Sequence, residues 1–381
     1  MSKDAIDWAA AVRSGQRRVR RGPTVTAAEA ASVVSDLRVF ARDAELRVRE
    51  TTGLGLDLPV AEADVVDRRG WIAAAAAGMA ELTKPLTDAL VPADYRGPSA
   101  GGQIGLMLAY MSSRILGQYD PVGGVPISGG QRTETGSNAG LNTASTGRLL
   151  LVAPNIVKVE REIDAVPADF RLWVCLHEST HRLQFSAVGW MTGYFRQLIA
   201  DYAAVAPTDS GEFLRHVVQV VTGRDKGPDD ATHGTTDGGT GDENGGLVAT
   251  LPRGSTWLQR IQTPEQQKVF DQLMALMTLL EGHADFVMDA VGPAVVPTVD
   301  DIRTAFTERR AKRRGPVDRL VRSLMGMDAK MAQYARGAAF VRGVVDRVGM
   351  TEFNAVFSSA ETLPTMVEII DPAAWVLRVH G

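Results

Sequence analysis

The sequence predicts a mainly α-helical fold with a small β component. Three observations carry that expectation. Apolar residues recur at spacings of three and four over most of the 381-residue chain, the pattern of helices with one buried face. Only one short run, Leu149 to Val152, reads as a well-formed strand. Two helical stretches carry ionisable groups where core is expected, around positions 177 and 281, and the fold is expected to be built around them.

The chain opens with a short amphipathic stretch followed by Arg17, Arg18, Arg20 and Arg21, which read as a solvated basic arm. Thr26-Ala27-Ala28-Glu29 is a capping box. It starts a helix whose apolar positions are Val33, Val34, Leu37, Phe40, Ala41, Ala44 and Val48, and Gly53 ends it. Val65 and Val66 suggest a brief strand or connector. A helix from about Arg69 to Ala80 follows, and Pro85 is expected to start a third, short one. Pro98 to Gly102 form a break. Ile104, Leu106, Met107, Tyr110, Met111, Ile115 and Leu116 then outline another amphipathic helix.

From Pro121 to Gly147 the chain is rich in Gly, Ser, Thr and Asn and reads as loop or short β-structure. Its glycine pairs, Gly129-Gly130 and Gly136 to Gly140, lack the lysine and the spacing of phosphate-binding loops. Leu149 to Val152 is stopped by Pro154. Its edge is a candidate for pairing with an extended substrate, beside the plainer reading as a core strand. No Gly or Pro interrupts 168–188, where Phe170, Trp173, Val174, Leu176 and Leu183 form an apolar stripe. Tyr194, Phe195, Leu198, Ile199 and Tyr202 mark the next helix. Residues 224–254 have no periodicity and read as a mobile Gly/Asp-rich insertion.

Thr263-Pro264-Glu265-Gln266 opens a strong helix, with Thr as N-cap and Pro at the first position. Val269, Phe270, Leu273, Met274, Met277, Leu280 and Phe286 are its buried face, and Gly292-Pro293 ends it. Beyond a basic turn at Arg309–Arg314, a long helix runs from about Met327 to Val348. The expected organisation is an N-terminal helical region, 1–100, packed on a catalytic domain, 101–381.

Composition narrows the function classes. Hydrophobic content of 45% and charged content of 23% are ordinary for a soluble globular protein. A net charge of −4 speaks against a nucleic-acid partner. A single cysteine, Cys175, excludes an intrachain disulfide and fits the cytoplasm. It lies in the apolar stripe beside His177, so packing is its first reading, ahead of metal ligation or nucleophilic attack. Met1 to Arg21 lacks the apolar core of a signal peptide. No run approaches the roughly 18–20 apolar residues of a membrane span, so a cytoplasmic protein without a membrane partner is expected.

The chemistry centres on Cys175-Leu176-His177-Glu178-Ser179-Thr180-His181, which contains H-E-x-x-H. On a helix, His177 and His181 lie one turn apart on one face. Two imidazoles so placed can close on one tetrahedral metal with nitrogen–metal bonds of about 2.0–2.1 Å. Glu178 can reach a metal-bound water, the place of the general base in a zinc hydrolase. With six histidines in 381 residues, a chance match is rare, on the order of one such chain in a hundred or fewer. Buried polar groups on one face also need a partner, and one Zn2+ per chain is the expected one. A catalytic zinc needs a third protein ligand. Candidates are His216, His233, His283, Asp201 and Glu281. Of these, Glu281 shares a helix face with Asp285, and His283 points away from both.

The run Leu280-Glu281-Gly282-His283-Ala284-Asp285 resembles the gluzincin arrangement of zincin metallopeptidases. There a second helix supplies a glutamate ligand, and an aspartate one turn later hydrogen-bonds a ligating histidine. The resemblance implies Glu281 as third ligand, ahead of His283, and Asp285 as the carboxylate partner of one imidazole, fixing its tautomer. The interval of 100 residues from His181 to Glu281 is longer than in compact gluzincins, and the expected insertion lies inside it. Arg182 stands where the wider pattern keeps an uncharged residue.

Together with Met327-Asp328-Ala329-Lys330-Met331-Ala332-Gln333-Tyr334, these motifs resemble the bacterial zincin-like metallopeptidases from about residue 70 to the end. Some members of that family are associated, by gene neighbourhood, with deazaflavin coenzyme biosynthesis. The resemblance implies a zincin-like fold and a zinc-dependent metallopeptidase acting on peptides. Tyr334, His283 and Arg336 are candidate oxyanion donors because they lie in these stretches, packing or surface roles being the plainer reading. Two other classes stay open. One is an inactive zinc-site protein acting as a binding or scaffolding partner. The other is a small-amide hydrolase linked to deazaflavin coenzyme metabolism.

Overall fold

The structure, a computed structural model, describes residues 6–90, 101–123, 147–204, 264–312 and 327–381. Its elements in chain order are α1 (Trp8–Arg18), α2 (Ala27–Thr52), β1 (Ala63–Val66), α3 (Arg68–Leu90), α4 (Gly101–Met111), β2 (Gly117–Asp120), β3 (Arg148–Val152), α5 (Ala153–Glu162), α6 (Pro167–Ser186), α7 (Met191–Ala204), α8 (Pro264–Val291), α9 (Val299–Lys312), α10 (Met327–Phe353), α11 (Met366–Ile370) and α12 (Pro372–His380). The mainly helical expectation with a small β component holds. The insertion 224–254, both glycine pairs, His216 and His233 lie outside the described residues.

Helix α2 begins and ends where its sequence says. The Thr26 hydroxyl accepts from the Glu29 N–H, and Gly53 closes the helix at φ +73°, a conformation that favours glycine. Val33, Leu37, Ala41, Ala44 and Val48 are buried in the core that α6 also fills.

The sheet has the order β1-β3-β2. Strand β3 is central, parallel to β1 and antiparallel to β2. Both its edges are paired, so the candidate role of Leu149 to Val152 as a free edge is overturned. Its side chains alternate between two cores, as a strand's must. Leu149 and Leu151 enter the core of α2 and α6, whereas Leu150 and Val152 enter that of α1, α3 and α4. Residues on both sides of position 100 thus share one sheet.

Local details differ from the expectation at four places. Helix α3 runs unbroken from Arg68 to Leu90, through Pro85. Helix α4 stops at Met111, and Ile115 and Leu116 lead into β2 instead of extending the helix. Strand β2 itself, Gly-Gln-Tyr-Asp, has no apolar run to announce it; β3 offers the backbone it pairs with. Helix α10 continues past Val348 to Phe353, turning at Gly349 with φ +83°.

Two contacts set α6 and α8 in place. Helices α8 and α10 touch backbone to backbone at Gly282, where a Cβ would fall 2.1 Å from the Gly337 carbonyl carbon. Only glycine fits beside Glu281 there. On the other side, Glu45 of α2 is 1% exposed and pairs with two guanidiniums, Arg49 and Arg182. Arg182 Nη1 lies 2.6 Å from Glu45 Oε1 as an ion pair off the hydrogen-bond direction, and its Nη2 donates to the Pro59 carbonyl at 3.2 Å. The charge at position 182, a departure from the wider peptidase pattern, is therefore accommodated by a buried acid. Removing Glu45 would strand two buried cations, so Glu45→Ala should lower stability by about 3–5 kcal/mol. Urea denaturation checks this; a loss below about 1 kcal/mol would show that the network contributes little.

Candidate metal centre

Helix α6 is buried on nearly every side, its apolar residues from Phe170 to Leu176 lying in one core. Its polar stripe is His177, His181 and Gln184, at i, i+4 and i+7, and this stripe meets α8. Helix α8 in turn presents Glu281. The structure brings His177, His181 and Glu281 together: the two Nε2 atoms are 3.2 Å apart, and Glu281 Oε2 lies 3.5 Å from His177 Nε2 and 3.7 Å from His181 Nε2.

These spacings test the fit of a metal. Four ligands at about 2.0–2.1 Å in a tetrahedron are separated from one another by about 3.3–3.4 Å. The triangle of 3.2, 3.5 and 3.7 Å matches that with little adjustment. The donor set of two imidazoles and one carboxylate is also that of a catalytic zinc site with one open position. Donor atoms converging this closely need a cation among them, a proton or a metal ion.

The electrostatics say the same. Burial lowers the His181 pKa, but the Glu281 charge and hydrogen bond outweigh it, with help from Glu178 and Gln184, and push it to about 9. Burial raises Glu281, yet His181 and His177 hold it well below the usual carboxylate range. The centre is thus built to hold positive charge. Glu178, 7% exposed, stands outside the donor triangle. Burial raises its pKa, His177 and His181 oppose that, and Glu281 adds to it. Its side chain rests against Gly117 of β2, where a Cβ would fall 2.5 Å from Glu178 Cγ.

The groups around the imidazoles differ from the gluzincin expectation. His177 Nδ1 faces the Met288 sulfur at 3.3 Å. His181 Nδ1 lies 3.0 Å from Gln184 Oε1. Asp285 is bonded to neither ring; its backbone carbonyl accepts from Arg303. Asp285 was expected beside one of the two imidazoles; the register of α8 instead brings Met288, two turns beyond Glu281, next to His177. Met288 reads in sequence as core, so nothing marked it. Gln184 carried a signal, a polar residue on the histidine stripe of a buried helix.

The remaining candidates lie apart from the triangle. Asp201 accepts from Gln197 on α7, and Arg336 is exposed on α10. The Tyr334 side chain lies outside the described residues. Cys175 is fully buried, its thiol pushed up by burial and then by Glu178, with Sγ donating to the Leu37 carbonyl at 3.9 Å; it is a packing residue.

His283 is 0% exposed and packs against the rings of Phe353 and Phe357. Burial, then the neighbouring His181, lowers its pKa to about 3 from 6.5. A group depressed in the folded state takes its proton first in the unfolded chain. Its stabilising contribution is therefore present above pH 6.5 and lost as pH falls toward about 3. Over the first two units the loss should be on the order of 2 kcal/mol. Urea denaturation of metal-free protein across this range should slope less in His283→Asn than in the wild type; equal slopes would count against a neutral buried imidazole.

A solved structure from Chloroflexus aurantiacus, described as "a putative hydrolase with a novel fold", superposes with a TM-score of 0.63 at 28% identity, covering 98% of this chain and 99% of that one. No curated protein matches. Among the described residues, no helix is long and apolar enough to cross a membrane. The model of the zincin-like metallopeptidase family matches residues 6–376, nearly the whole chain, and the chain belongs to that family.

Proposed function

We propose that this protein is a zinc-dependent peptidase in which His177, His181 and Glu281 hold the metal and Glu178 is the general base. The spacing of the three donor atoms carries the reading. Zinc, when bound, supplies a Lewis acid that brings the pKa of water toward about 7 and polarises a carbonyl. Glu178 takes a proton from the attacking water and later delivers it to the leaving amine. The amide C–N bond breaks as the water oxygen joins the carbonyl carbon, giving a carboxylate and an amine. A buried carboxyl raised above its ordinary pKa is suited to holding that proton between the two transfers.

The peptide part of the reading is supported by β2. Among the described residues it pairs on one side only, with β3, and its Gly117 lies against Glu178. An extended main chain added to that edge would pass beside the base. The zinc part is tested by metal analysis of protein purified without chelator or added metal. Near-stoichiometric zinc is expected in the wild type and its loss in Glu281→Ala. Zinc retained by the variant would assign the third position to another group.

A further inference from the structure

Gln184 ties the two ligand-bearing helices together at the metal centre. It is 0% exposed, and its amide is fully used. Nε2 donates to the Leu280 carbonyl of α8 at 2.9 Å and to His283 Nδ1 at 3.0 Å. With the amide nitrogen so committed, Oε1 faces His181 Nδ1 at 3.0 Å. The reversed amide would set its oxygen against the Leu280 oxygen, two acceptors in contact. Oε1 can accept only from a protonated Nδ1, and a His181 protonated there leaves its Nε2 lone pair for a metal.

Two further observations extend the relay. Leu280 immediately precedes Glu281, so the side chain that orients His181 also holds the backbone carrying the third donor. His283 accepts on Nδ1, so its ring proton is on Nε2, which has no hydrogen-bond partner. The rings of Phe353 and Phe357 pack against His283.

We infer that Gln184 is a positioning residue of the metal centre, fixing the His181 tautomer and its register with Glu281, and that His283 serves Gln184 as an acceptor and not the metal as a ligand. This rests on the proposed His177–His181–Glu281 site. The test is zinc affinity, by competition with a chromophoric chelator, together with the cobalt(II) absorption spectrum, for four proteins: wild type, Gln184→Met, His283→Leu and His283→Asn. Gln184→Met, similar in length but without the amide, should weaken zinc about ten- to hundredfold and alter the cobalt bands. His283→Leu should do the same. His283→Asn, whose Oδ1 can replace the ring Nδ1 as acceptor, should restore affinity close to wild type.

That rescue separates the relay from simple packing and from ligation, since either of those would be lost equally in both His283 variants. Wild-type affinity in Gln184→Met, or equal losses in the His283 pair, would overturn the inference. If Gln184→Met does not fold, the His283 pair decides alone. A wild type that binds no zinc overturns the proposed site along with the relay; zinc bound equally by wild type and all variants overturns the relay only.

Discussion

Replacing Glu178 by Gln should leave zinc bound at the wild-type ratio and lower peptide hydrolysis by about two to four orders of magnitude. The two halves of this expectation have separate grounds. Zinc should stay because Glu178 is not in the donor triangle of His177, His181 and Glu281. Gln also has the shape of Glu and fits the same space against Gly117. Hydrolysis should fall because an amide cannot take a proton from water, whatever its position. Turnover of a mixed peptide pool, followed by mass spectrometry beside metal analysis, reads both halves. Undiminished turnover would remove Glu178 from the mechanism, and loss of zinc would make it a ligand.

How much of this was legible in the sequence depends on what each residue does. His177, Glu178 and His181 share one helix, so their relation is fixed by helical geometry and can be read from spacing alone. Glu281 stood out because a carboxylate in an apolar helix needs a reason, and the fold brings it to the two imidazoles. Met288 could not stand out, since a thioether on an apolar face is what packing predicts. Asp285 misled for the complementary reason: a charge at the right helical offset resembles a partner, but the crossing of α6 and α8 decides which side chain arrives. Strand β2 was hidden because its pairing comes from β3 and not from its own composition. The end of α2 at Gly53 and of α8 near Gly292, both at positive φ, was plain in advance because glycine is the residue that such caps favour.

The hidden strand also carries the other large effect. Gly117→Ala should cost about a hundredfold in turnover while leaving zinc in place. A Cβ at 117 would fall 2.5 Å from Glu178 Cγ, 2.6 Å from Cδ and 2.8 Å from Oε1. None of these is a tolerable contact, so something must move. The strand cannot easily do so, because Gly117 is paired opposite Leu151 of the buried central strand. Helix α6 is locked by its core and by the Arg182–Glu45 pair. The Glu178 side chain is the part free to yield, and a shift of about 1 Å in a catalytic group is enough for a loss of this size. Folding stability should suffer less, by about 1–3 kcal/mol, since the clash is relieved within one side chain. A double-mutant cycle distinguishes this from general damage. If the methyl acts by displacing the base, Gly117→Ala should lower turnover in the wild-type background and add nothing once Glu178 is already Ala. A further loss in the Glu178→Ala background would mean that Gly117 matters for a different reason, the approach of the substrate to the edge of β2.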